Sequence, residues 1–135
     1  MKNKKLLLLI LPVITLFLEA LPYGAVLNFA EPEGESARKT FSYFSLIPFG
    51  YANFAPFITA VITCLVFAFV VAYIITKKEL IFKELKGLLA VGVVLSLCPL
   101  GFGFDSFTVV AILISVSLAA ELILLFHIKP NRKPR

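Results

Sequence analysis

Phe57–Thr76 runs for twenty residues without a charge, a proline or a glycine. An α-helix rises about 1.5 Å per residue, so a run of this length covers the roughly 30 Å hydrocarbon layer of a bilayer. Lys77, Lys78 and Glu79 end it abruptly. A segment like this has few homes, and the rest of the chain narrows them to one. Of the 135 residues 60% are hydrophobic, and four mostly apolar runs follow one another: 6–27, 57–76, 87–104 and 107–128. A water-soluble core cannot hide four such runs in so short a chain. The sequence therefore predicts an all-α membrane protein, a single domain of four transmembrane helices in an up-down bundle.

Orientation follows from the basic residues. Lys2, Lys4 and Lys5 precede the first run, Lys77, Lys78, Lys83 and Lys86 lie in the 77–86 link, and Lys129, Arg132, Lys133 and Arg135 form the 129–135 tail. Only Arg38 and Lys39 fall in the 28–56 segment, and basic excess marks the cytoplasmic side. Both termini and the link are expected inside, and 28–56 outside. The net charge of +5 is not a nucleic-acid footprint, because no basic stripe sits on a soluble fold.

The basic start followed by LLLLILPVITLFL has the outline of a signal peptide. Cleavage after Ala20 would place Leu18 three back, and cleavage after Ala25 would place Tyr23 there. Neither is the small residue a signal peptidase prefers, so 6–27 is expected to be a retained first helix, bent by Pro12 and Pro22. Segment 28–56 opens with the acidic turn Glu31–Glu35 and continues into a long outer aromatic loop carrying Phe41, Tyr43, Phe44, Phe49, Tyr51 and Phe54. These rings are expected in an interfacial belt at headgroup level, the alternative being a lid or partner-docking surface, with Pro48–Phe49–Gly50 turning the chain back to the membrane.

Lipid supplies no hydrophobic force between helices, so small residues that let backbones approach mark packing faces. Ala60, Cys64, Ala68 and Ala72 recur at every fourth position of the second run, and Ala111, Ser115 and Ala119 do so on the fourth. The fourth-run stripe is expected against the second run or against Gly92 and Ser96 of the third. The 77–86 link is expected to continue helically at the inner surface. The third run ends in CPLGFGF, which predicts an irregular outer end, and Asp105 or Ser106 is expected to cap the last helix.

Two acids carry the chemistry, if any residues do. Glu19 stands roughly 4 Å outward of the middle of its run and Glu121 roughly 5 Å inward of the middle of its own. A carboxylate at such depth costs a few kcal/mol on insertion scales, about 2.5–3.5 for an Asp, so an intramembrane acid is a functional candidate by default. Each has a hydroxyl one turn earlier, Thr15 and Ser117, within reach of a local hydrogen bond. The two readings are a proton or cation relay and interhelical hydrogen-bond glue. Cys64 and Cys98 read as small packing residues, and His127 as an interfacial side chain. No metal, cofactor, nucleotide or nucleophile signature occurs, and nothing argues for an enzyme.

The stretches LPYGAVLNFAEPEGE and KTFSYFSLIPFGYANFAPFITAVITC, from Leu21 to Cys64, resemble a group of small uncharacterised four-span membrane proteins of Gram-positive bacteria. That resemblance implies a location in a bacterial cell membrane and no mechanism, since the group has no assigned activity. Small multidrug-resistance exporters are similar in having four short spans and an acid in the first, where Glu19 stands. The long outer segment, the second acid and the absence of Trp depart from them, so export is an analogy. The expected function is a non-catalytic accessory or scaffold module, its partners the lipid bilayer and either another membrane protein or a second copy of itself. The alternative is a small oligomeric ion-coupled transporter working through an intramembrane Glu.

Overall fold

A computed structural model describes residues 2–30, 36–46, 51–104 and 107–128. In chain order the elements are α1 (Lys2–Ala20), β1 (Ala25–Ala30), β2 (Ser36–Phe41), α2 (Tyr51–Thr76), α3 (Glu79–Leu97), a short 3₁₀ helix (Cys98–Phe102) and α4 (Val109–His127). The chain is mostly helical with four α-helices. Two of them, over Phe54–Thr76 and Val109–His127, are long and apolar enough to cross a membrane.

Each helix packs on its neighbours in sequence, and α1 closes the ring against α4. Contacts set the directions. Thr15 meets Ser117 and Glu121, while Thr108 near the start of α4 meets Gly24 just past the end of α1. Ser115 bonds the Ser96 carbonyl, and Lys86 lies over the Phe126 ring. A Cβ on Gly92 would approach Ile62, and Tyr73 stacks on Phe82. Neighbouring helices thus run in opposite directions.

The buried positions repeat in steps of three and four. They are Leu8, Pro12, Thr15 and Glu19 on α1, and Thr59, Thr63, Val66, Val70 and Tyr73 on α2. On α3 they are Phe82, Leu85, Leu89, Gly92 and Ser96, and on α4 Ala111, Ile114, Leu118, Glu121 and Leu125. This is the heptad-like seam that left-handed bundle packing uses. The outward faces are apolar, from Leu6, Ile10 and Phe17 on α1 to Ile112, Val116 and Phe126 on α4, all exposed. The interior is mostly apolar with a few polar side chains, and the outward faces are apolar too, unlike the polar exterior of a soluble bundle.

This packing corrects several expectations. On α2 the seam is not the small-residue stripe: Ala60 is buried, but Cys64 and Ala68 are exposed and Ala72 is half-buried. A helix turns about 100° per residue, so steps of four drift about 40° each and carry the stripe off the seam. Cys64 and Cys98 are both exposed free thiols and pack in none of the seams between these four helices. On α4 the stripe holds better. Ala111 and Ser115 are buried against the Gly92/Ser96 face of α3, with Ala119 at the margin.

Boundaries move as well. The first helix ends at Ala20 rather than Leu27, because Leu21–Gly24 turn the chain and Pro22 has no N–H to continue the ladder. Thr108 caps α4, its hydroxyl accepting from the Ala111 N–H at 3.0 Å. Asp105 and Ser106, the expected caps, lie outside the described residues. The 77–86 link is largely α3, as expected of a helical continuation. Only Lys77 and Lys78 join it to α2, with Lys77 in the left-handed region at φ 55° and its N–H on the Tyr73 carbonyl at 2.8 Å.

Much of the expected aromatic loop is ordered structure. β1 and β2 form an antiparallel hairpin pairing Ala25 with Phe41 through Ala30 with Ser36. A two-stranded hairpin is marginal alone. This one is held at the end of α1, where the Glu19 carbonyl accepts from the Tyr43 N–H at 2.9 Å and from the Ser42 hydroxyl at 3.1 Å. Tyr43 is not in a belt but 1% exposed. Its ring occupies the space a side chain at position 24 would need, since a Cβ there would fall 2.7 Å from Tyr43 Cδ1. Phe41 ends β2 packed on the core, Tyr51 and Phe54 belong to α2, and Phe44 and Phe54 are exposed. Phe49, the 48–50 turn, the Glu31–Glu35 turn and the 129–135 tail lie outside the described residues.

Candidate functional site

The buried faces of α1, α2 and α4 are mostly apolar, and among their polar exceptions Thr15, Glu19, Thr59, Thr63, Ser117 and Glu121 are all buried. Six polar side chains in one interior, with Tyr43 over them from the hairpin, form the only site of this kind among the described residues. Glu19 and Glu121, the two acids singled out from sequence, are both 0% exposed.

Helical side chains lean toward the N-terminus of their own helix. Because α1 and α4 are antiparallel, Glu19 leans toward the level of Thr15 while Glu121, at that level, leans toward Glu19. The two acids thus lean toward a common level, where Thr15, one turn before Glu19, lies 3.2 Å from Glu121 Oε1.

The hydrogen bonds do not follow the local pairing expected. Thr15 does not serve Glu19, four residues later, and Ser117 does not serve Glu121. Thr15 Oγ1 instead crosses to α4, 2.7 Å from Ser117 Oγ and 3.2 Å from Glu121 Oε1. The partner of Glu19 is on α2, where the Thr63 hydroxyl lies 2.7 Å from Glu19 Oε1. Three helices are thereby tied through two acids.

Each threonine has a second acceptor. Thr63 Oγ1 lies 3.0 Å from the Thr59 carbonyl, and Thr15 Oγ1 lies 3.0 Å from the Leu11 carbonyl. A hydroxyl has one proton to give and can also accept. Facing an ionised carboxylate, the threonine donates to it. Facing a carboxylic acid, it accepts a hydrogen bond from the acid's O–H and donates its own to the backbone carbonyl. Both protonation states are satisfied at Oε1 without moving a heavy atom.

Three buried polar atoms remain unpaired: Glu19 Oε2, Glu121 Oε2 and the Tyr43 hydroxyl. An unmet buried polar group costs about 1–3 kcal/mol, so three in one place need a reason. Burial pushes the Tyr43 hydroxyl well above the usual phenol range, and the neighbouring Glu19 carboxyl adds to the shift. It therefore stays a neutral donor at ordinary pH. Among the described residues no basic side chain is buried with the acids.

Thr63 and Tyr43 were not legible as site residues. Thr63 carried a signal, a polar side chain on the three-and-four spacing of an otherwise apolar run. Tyr43 carried none beyond being aromatic. His127, in the last turn of α4, is exposed, its Nδ1 2.9 Å from the Ile123 carbonyl and apart from the acids. No group of three or more His, Cys, Asp or Glu side chains that could hold a metal ion gathers among the described residues. Comparison with protein-family models, with curated proteins and with solved structures finds no match to this chain.

Proposed function

We propose that the chain is a multi-pass protein of a bacterial cell membrane, with four spans and both ends inside, that takes up and releases protons at the Glu19–Glu121 pair in the course of ion-coupled transport. One observation carries the reading. Two acids from the first and last helices are fully buried in a single polar interior, each facing a threonine able to accommodate it with or without its proton. The apolar outer face of the bundle supports the membrane assignment.

The test is proton movement in sealed vesicles. The purified protein is reconstituted, a pH gradient is imposed, and a trapped dye follows its decay. Glu19→Gln and Glu121→Gln each abolish the protein-dependent decay, because an amide keeps the shape and the threonine bond but cannot lose a proton. Decay equal to native in both variants would remove the acids from the mechanism.

The orientation has its own check. Cys98 sits exposed at the hairpin end of α3 and Cys64 on the lipid-facing side of α2. An impermeant maleimide applied to intact cells labels Cys98 and leaves Cys64 unlabelled; the opposite result, or labelling of Cys98 only from the cell interior, reverses the topology.

A second reading, a non-catalytic accessory module, is favoured by the exposure of Cys64 and Ala68. Small residues on an outward helix face admit the backbone of a partner helix. Acid-independent behaviour in the vesicles, together with a membrane protein that co-purifies in mild detergent and is lost on Ala68→Phe, would select it.

A further inference from the structure

At the end of the bundle opposite the hairpin, α3 begins with charge set against rings. Glu79, Leu80, Phe82, Lys83 and Lys86 line an open cleft of about 480 Å³ there. Phe82 is buried and Leu80 is exposed. Lys86 is half-buried, and its Nζ lies over two rings, 4.9 Å from the centroid of Phe82 and 4.7 Å from that of Phe126 on α4. Two ring faces hold the ammonium in place and supply part of the negative potential it needs. They do not neutralise it. An ammonium has three donors, and among the described residues no carboxylate pairs with Lys83 or Lys86. A charge held this way at the edge of an apolar bundle is best met by an anion with several acceptor oxygens.

The surroundings indicate what else that anion carries. Glu79, Lys83, Lys86 and Ala90 succeed one another at steps of four, three and four along one flank of α3, about 16 Å by helical rise. Charge at the start of this flank gives way to Phe82 and Phe126. Beyond them come exposed aliphatic side chains, Val94 on α3 and Ile123 on α4. A ligand matching that order has an anionic head and a hydrocarbon body, the chemistry of a phospholipid. Charge selects within the class. Residues 77–86 carry four lysines and two glutamates, and α4 ends beside Lys86 at His127, followed in sequence by the basic 129–135 tail. The excess is positive, which favours a net-anionic head over a zwitterionic one. The same excess argues against the tail as the occupant, because like charges repel.

We infer that this cleft binds the phosphate of an anionic phospholipid on Lys86 and Lys83, with an acyl chain laid along the groove between α3 and α4. The site rests on the membrane assignment above and is independent of the proton reading. Its lysines act as point charges, and the two rings fix the position of one of them.

The experiment titrates the full chain in mild detergent with phosphatidylglycerol, with phosphatidylcholine of the same chains, and with glycerol phosphate. Thermal midpoint is followed, and retained lipid is counted by native mass spectrometry. Phosphatidylglycerol raises the midpoint and leaves one lipid per chain; the other two leave the midpoint where it was. Lys86→Met keeps the apolar stem against the rings and removes the charge. It weakens phosphatidylglycerol binding about fivefold or more, the weight of one lysine at an anionic surface. Lys78→Met removes the same charge at the same end, outside the cleft, and changes affinity less than about twofold. Glu79→Gln leaves affinity unchanged or tightens it. Should Lys86→Met lose helicity or monodispersity, Lys83→Met carries the same expectation from an exposed position.

Equal shifts with phosphatidylcholine, equal losses in Lys86→Met and Lys78→Met, or glycerol phosphate bound as tightly as the lipid overturns the proposal. Loss of binding in Glu79→Gln overturns it as well, since that carboxylate would then be holding a headgroup ammonium. A chain that stays monodisperse without detergent overturns the membrane assignment on which the site rests, whereas the other failures leave that assignment standing.

Discussion

Thr63→Val slows acid-dependent proton movement in vesicles by about a hundredfold or more, the scale of a lost proton-transfer partner, and Thr63→Ser recovers most of it. Valine matches threonine in shape, so packing against Ala60 and Val66 on the same seam changes little. What disappears is the hydroxyl that sits 2.7 Å from Glu19 Oε1 and 3.0 Å from the Thr59 carbonyl. Without it Glu19 has two unpaired oxygens in place of one, a further cost of about 1–3 kcal/mol, largest for the ionised form. Serine restores the hydroxyl and the same backbone acceptor. Thr15→Val acts in the same direction through Glu121 and also breaks the 2.7 Å contact with Ser117. A structural threonine would lose stability in the valine variant with flux per folded molecule unchanged, so flux and thermal midpoint are measured together. Unaltered flux sinks the relay.

The second large effect is on stability. Gly92→Leu lowers the thermal midpoint in detergent steeply, while Gly87→Leu, five residues earlier on α3, leaves it unchanged or raises it. A Cβ at position 92 would lie 3.2 Å from Ile62 Cγ2 on α2 and 3.9 Å from Leu118 Cδ1 on α4. Three further carbons have nowhere to go between three helices, and overpacking of this sort costs roughly 1–3 kcal/mol or more. Nothing lies within 4 Å of a Cβ at Gly87. There only the gain in helix propensity remains, up to about 1 kcal/mol. Equal midpoints for the two variants would mean that α2, α3 and α4 do not meet at Gly92.

The number of helices and the irregular end of α3 could be read from hydropathy and from CPLGFGF, because long apolar runs and glycine-proline clusters act locally. The acids were legible too, since charge stands out in an apolar run. Their partners were not. Thr15 and Ser117 each precede an acid by one turn, which pointed to bonds within a helix. The side chains lean toward adjacent helices, and only the antiparallel packing of α1 against α4 brings Thr15 to Glu121. The packing face of α2 was misread for a related reason. Small residues at steps of four looked like a stripe, but the seam follows steps of four and three through Thr59, Thr63, Val66, Val70 and Tyr73. Tyr43 lay furthest beyond reach. Its burial depends on a hairpin that returns it to Gly24 across nineteen residues, and nothing in FSYFSLIPFG distinguishes it from its exposed neighbour Phe44.

The joint at Lys77–Lys78 constrains how such a molecule can move. It is two residues long and cinched by the Lys77 bond to Tyr73, whereas α1 to α2 and α3 to α4 are linked at the opposite end by much longer stretches. α2 and α3 therefore behave as the legs of tweezers with their fulcrum beside the lysines. Any parting of the two begins at the far tips, on the side where the hairpin is slung from the Glu19 carbonyl.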